Sequence, residues 1–87
     1  MKILYFYTPT SRSLKGIKTL GVEVESINAL KDVARVDKYN VCVAPTLILL
    51  DNEGNEVRRA YRTPQLEEIQ DIINSSHTLH DPSSGEA

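Results

Sequence analysis

The chain has 87 residues and a formal net charge of −2, which allows one domain with a small core. Its single cysteine, Cys42, excludes an internal disulfide and a zinc site built mainly from thiolates. The charge balance is unlike that of a nucleic-acid-binding protein, and no apolar run approaches the roughly 20 residues that span a bilayer. We therefore expect no nucleic-acid or membrane partner. The N-terminus lacks a signal-peptide pattern, so we expect a cytoplasmic location.

The first half of the chain predicts strands alternating with helices. Residues 2–7 are a β-branched, aromatic and aliphatic run, typical of a buried strand. Apolar residues at three-residue spacing over 11–20 predict a helix with one buried stripe. Alternation over 22–27 indicates a strand with one solvated face, and Asn28 then caps a short helix. The apolar face of this short helix comprises Leu30, Val33, Ala34 and Val36.

The second half predicts a hairpin and a final helix. Residues 46–50 form an apolar strand, and residues 56–62 return as a second strand after a turn-forming cluster. Thr63 as N-cap and Pro64 at the first helical position begin the last helix. We expect one domain over residues 1–74. Residues 75–87 contain almost no apolar side chains, which predicts a disordered C-terminal tail.

This order of elements, β-α-β-α-β-β-α, defines the expected fold class. A strand, helix and strand in succession imply a right-handed crossover between two parallel strands. The hairpin adds antiparallel strands. We therefore predict an α/β fold with a four-stranded mixed sheet and three helices.

The segment around Pro45 closely resembles the thioredoxin family. Tyr39 and Val41 are followed by the pair Pro45-Thr46, an apolar strand and a hairpin turn over residues 52–57. The strand over residues 3–6 is similar to the one that delivers the active-site loop in that family. The resemblance covers about residues 2–74 and implies a short version of the thioredoxin and glutaredoxin type of fold. It also implies a cis peptide bond between Ala44 and Pro45.

The redox motif of that family has no cysteine at either of its positions in this chain. Aligned on Lys15, the two cysteines of the Cys-x-x-Cys motif are replaced by Ser11 and Leu14. Arg12 and Ser13 lie between them. Disulfide exchange needs a thiolate with a lowered pKa and a second thiol, and a serine hydroxyl supplies neither. The resemblance therefore implies a thioredoxin-like protein without dithiol redox activity.

The family also uses the residue before the cis-proline to bind an extended substrate segment. Carried over to this chain, a groove is bounded by the residues Thr10, Ser11, Arg12, Ala44 and Pro45. A cation and hydroxyls at a helix start favour a protein or peptide partner that is acidic. The simpler alternative is that Thr10 or Ser11 is only an N-cap, that Arg12 is solvated and that Pro45 shapes a loop.

Two functions remain open. One is a binding module whose groove holds a partner segment, and the other is an inactive form of a thioredoxin- or glutaredoxin-type disulfide oxidoreductase. Cys42 is a candidate free thiol, although a packing role is commoner for a single cysteine. His77, His80 and Asp81 have a spacing that suits a metal, but their polar surroundings indicate a solvated tail. We expect no metal and no cofactor.

Overall fold

The computed structural model of the protein describes residues 1–12 and 14–80, with only the backbone in residues 76–80. Its four strands are β1 (Lys2–Tyr7), β2 (Glu23–Asn28), β3 (Thr46–Leu50) and β4 (Glu56–Ala60). They form one sheet in the order β2-β1-β3-β4. β1 is parallel to β2 and antiparallel to β3, and β3 is antiparallel to β4. The predicted four-stranded mixed sheet is confirmed.

Two α-helices, α1 (Val33–Lys38) and α2 (Thr63–His80), pack on opposite faces of the sheet. Successive side chains of a strand point to opposite faces, so the sheet has one apolar core on each face. On one face, α2 and the central strands share a core formed by Ile3, Leu47, Leu49, Leu66, Ile69 and Ile73. On the other face, Val36 and Tyr39 cover a core formed by Leu4, Phe6, Ile27, Ile48 and Leu50. No helix in the described part of the chain has the length and apolarity needed to cross a membrane.

The predicted helix over residues 11–20 is wrong. Among the described residues this segment is a loop followed by a single turn of 3-10 helix, Ile17–Leu20, so the fold has two α-helices and not the predicted three. The turn lies between Gly16 and Gly21, both of which have left-handed backbone conformations, with φ of 87° and 77°. Leu20 is nevertheless buried. Leu14 and Ile17 are partly buried against the same core. The three-residue spacing therefore identified residues that face the core, but it did not predict their backbone conformation.

The remaining helices differ from the prediction at their ends. Asp32, and not Asn28, is the N-cap of α1, and its carboxylate accepts a hydrogen bond from the Arg35 N–H at 3.2 Å. The predicted apolar face is mostly solvent-exposed, with Leu30 67% and Val33 59% exposed.

Helix α2 begins at Thr63, one residue before the predicted first helical position at Pro64, so Thr63 is not its N-cap. The helix continues to His80. Residues 75–80, the first part of the predicted tail, thus belong to this helix. The side chains of His77 and His80, and residues 81–87 including Asp81, lie outside the described part of the structure.

Candidate functional site

A groove of about 690 Å³ lies between the loop after β1 and the loop before β3. The structure brings together in its walls the five residues named from the sequence, which are Thr10, Ser11, Arg12, Ala44 and Pro45. Leu14 also lines the groove, and Ser13 lies outside the described residues. The peptide bond between Ala44 and Pro45 is cis.

The end of β4 and the start of α2 supply a third wall that sequence reasoning missed. Tyr61, Arg62 and Thr63 line the groove, as does Lys15. Leu47 pairs with Ala60 across β3 and β4, so the residues that follow Ala60 lie beside the residues that precede Leu47. No local pattern indicates this proximity, because it depends on the register of the hairpin.

The loop after β1 is held by hydrogen bonds of Ser11 to Thr8. The Ser11 hydroxyl donates to the Thr8 carbonyl at 2.8 Å and accepts from the Thr8 N–H at 3.0 Å. The Tyr5 hydroxyl lies 3.5 Å from the Arg12 carbonyl, to which it donates. Because no α-helix begins here, the predicted N-cap role of Thr10 or Ser11 is wrong. The loop after β1 therefore contributes no helix dipole to the groove.

The loop that contains Pro45 is fixed to the sheet from two sides. The buried hydroxyl of Thr46 donates to the Val43 carbonyl at 2.6 Å. From β4, the Arg59 guanidinium donates to the carbonyls of Tyr39 and Asn40. Its hydrogen bond with the Glu56 carboxylate raises the pKa of Arg59 above the ordinary value. This wall of the groove is thus positioned by the hairpin.

Cys42 is exposed, so the packing role expected for it is wrong. Its thiol lies 3.7 Å from the Asn40 carbonyl, in a second groove of about 560 Å³. This second groove shares Tyr61 and Arg62 with the first and is also lined by Val43. Among the described residues, no three side chains of the metal-ligating types come together.

The first groove carries positive charge. Arg12, Lys15 and Arg62 line it and are all exposed, and no aspartate or glutamate is found among its described lining residues. The sequence identified only Arg12 as a cation at this place. The first groove therefore presents three positive side chains.

No protein-family model and no curated protein matches the chain. Among solved structures, it is similar to thioredoxin 1 from the thermophilic eubacterium Thermosipho africanus TCF52B, with a TM-score of 0.68 and 26% sequence identity. The similarity covers 98% of this chain and 100% of that thioredoxin. The fold is thioredoxin-like. The groove at Pro45 therefore belongs to a thioredoxin-like scaffold whose sequence contains a single cysteine.

Proposed function

We propose that the protein is a binding module, without dithiol redox activity, whose groove holds an extended segment of a partner protein. The observation that carries this proposal is the meeting of residues 10–12 with Ala44 and Pro45 in one groove. The backbone N–H and carbonyl of Ala44 make no hydrogen bond within the described part of the chain. They are available to pair with an extended segment, as in strand addition.

The side chains at the former redox positions support a role in binding more than one in catalysis. Reduction of a disulfide by exchange consumes two thiols, and the chain has one, Cys42, which lines the second groove and not the first. The Ser11 hydroxyl is engaged with Thr8. A serine hydroxyl is a poor nucleophile without an adjacent base.

Peptide selection tests the binding proposal. Twelve-residue peptides selected from a random display library on the immobilised protein should bind in the groove. In nuclear magnetic resonance spectra, we expect the largest shifts at the amides of residues 10–12, Ala44 and Arg62. The variant Thr10→Trp fills the groove and should abolish binding. The matched variant Ala34→Trp, at an exposed position on α1, should bind normally. Failure to select any peptide that Thr10→Trp excludes would overturn the proposal.

The second candidate is the inactive form of a thioredoxin- or glutaredoxin-type disulfide oxidoreductase, which the similarity to thioredoxin 1 favours. Insulin reduction by dithiothreitol separates the two. We expect the wild type and the double variant Ser11→Cys, Leu14→Cys to remain at the uncatalysed rate, because no α-helix begins at Ser11 to lower the pKa of a thiolate there. Catalysis restored by the two cysteines would favour the second candidate.

A further inference from the structure

The arginines of the protein divide into two groups. Arg35, Arg58 and Arg59 form ion pairs with Glu25, Glu68 and Glu56, with nitrogen to oxygen distances of 2.7, 2.7 and 2.5 Å. Arg12 and Arg62 have no carboxylate partner among the described residues, and both line the first groove. A protein with net charge −2 has enough carboxylates to pair them. The two unpaired guanidinium groups are therefore concentrated at one place.

The chemistry of this groove selects for negative charge. A guanidinium presents a planar set of N–H donors that matches a carboxylate, and such charge-assisted hydrogen bonds are roughly twice as strong as neutral ones. Lys15 adds a third positive charge to the same groove. A cleft lined by charges of one sign also concentrates ligands of the opposite sign. An occupant with carboxylates would pair with the guanidinium groups that the described residues leave unpaired.

The second groove offers a different chemistry. Val43 is 54% exposed and Tyr61 is 39% exposed, and both line it. Tyr61 and Arg62 line both grooves, so the two grooves are neighbours. An apolar side chain placed against Val43 and Tyr61 would remove their apolar surface from water.

On the basis of the function proposed above, we propose that the partner segment is acidic over the first groove and carries an apolar side chain over the second. Its carboxylates pair with Arg12, Lys15 and Arg62, and its apolar side chain packs on Val43 and Tyr61. A single-stranded nucleic acid fits less well, because three cations neutralise few phosphates and the second groove offers one tyrosine for stacking.

The composition of selected peptides tests whether the partner segment is acidic over the first groove. Peptides selected on the wild type should be enriched in aspartate and glutamate. The double variant Arg12→Glu, Arg62→Glu should weaken the binding of a selected peptide by about tenfold or more, which corresponds to about 1.4 kcal/mol. The double variant Lys18→Glu, Lys31→Glu makes the same change in net charge at exposed positions outside both grooves and should weaken binding by less than about threefold.

The single thiol tests whether an apolar side chain of the partner segment occupies the second groove. Cys42 lies in the second groove, so a peptide that fills both grooves should slow its alkylation by iodoacetamide by about tenfold or more. Replacing the apolar residues of that peptide with serine should restore the rate. If the alkylation of Cys42 stays slow after the replacement, the proposed apolar packing in the second groove is overturned.

The outcomes distinguish this inference from the function on which it rests. Peptides that Thr10→Trp excludes but that are neutral or basic would overturn the acidic partner and leave the binding module standing. No peptide excluded by Thr10→Trp would overturn both. A ten-residue oligothymidylate that binds more tightly than the selected peptides would overturn the choice of a protein segment.

Discussion

At the scale of single residues, two threonines with the same hydrogen-bonding pattern differ in burial. Thr46 and Thr19 each donate to the carbonyl three residues earlier, at 2.6 and 2.7 Å, but Thr46 is buried and Thr19 is exposed. We expect Thr46→Val to lower the free energy of unfolding by about 1 kcal/mol or more, and Thr19→Val by less than about 0.5 kcal/mol. Urea denaturation of both variants measures the difference. Equal losses would contradict a specific role of Thr46 in holding the loop before β3.

Two neighbouring arginines allow a similar comparison. The Arg59 guanidinium bridges Glu56 and the carbonyls of Tyr39 and Asn40, whereas the Arg58 guanidinium, among the described residues, donates a hydrogen bond only to the Glu68 carboxylate. Lysine retains the charge but lacks the planar set of donors. We expect Arg59→Lys to lower the free energy of unfolding by about 1 to 2 kcal/mol. Arg58→Lys, at an exposed ion pair, should lower it by less than about 0.5 kcal/mol.

At the scale of elements, the turn between β3 and β4 makes the hairpin sensitive to pH. The Asp51 carboxylate accepts hydrogen bonds from the N–H groups of Asn55 and Glu53, both at 2.9 Å. These bonds, led by that of Asn55, lower the pKa of Asp51 below its ordinary value of 3.8. Because the folded-state pKa is the lower one, the stabilising effect is complete above the ordinary value. It is lost as the pH falls through the folded-state value.

We therefore expect Asp51→Asn to be less stable than the wild type at neutral pH and to approach it as the pH falls below 3.8. Urea denaturation at several pH values measures this. The variant Glu53→Gln removes a charge from the same turn and serves as the control for charge alone. A stability difference that is independent of pH would contradict the argument.

Replacing Gly16 distinguishes a turn from a helix in the segment over residues 11–20, because the stability changes in opposite directions. Gly16 has φ of 87°, and an added Cβ would meet only the Thr19 hydroxyl, at 3.7 Å. We expect Gly16→Ala to lower the free energy of unfolding by about 1 kcal/mol through backbone strain alone. A helix through this segment would instead gain up to about 1 kcal/mol from the same change. Gly21→Ala, at a position with positive φ just after the turn, should be destabilising whether the segment is a turn or a helix.

The same elements show what the sequence can predict. Residues 46–50 are all buried and form the strand that their continuous apolar run indicated. Local spacing did not reveal the left-handed conformation of Gly16, because glycine fits both a weak helix and a turn. It also did not place Tyr61 and Arg62 in the groove, since that depends on pairing between distant residues. The walls at residues 10–12 and at Pro45 followed from family resemblance.

At the scale of the whole molecule, the described core ends at Ile73. Every fully buried apolar residue of the described structure lies at or before that position, and α2 contributes Leu66, Ile69 and Ile73 to it. Residues 75–80 extend α2 beyond this core. The domain limit at residue 74 stays a prediction, and shortened chains can test it.

We expect a chain of residues 1–74 to fold, with a melting temperature within about 6 °C of that of the full chain. Removing residues 75–87 should lower the free energy of unfolding by about 1 kcal/mol at most. A chain of residues 1–68 lacks Ile69 and Ile73, which are 0% and 2% exposed. Their combined loss of roughly 4 kcal/mol or more approaches the whole stability of a small domain, so this shorter chain should be unfolded. Thermal unfolding followed by circular dichroism measures both. Unfolding of the 1–74 chain at room temperature would show that residues after Asn74 hold the sheet and α2 together.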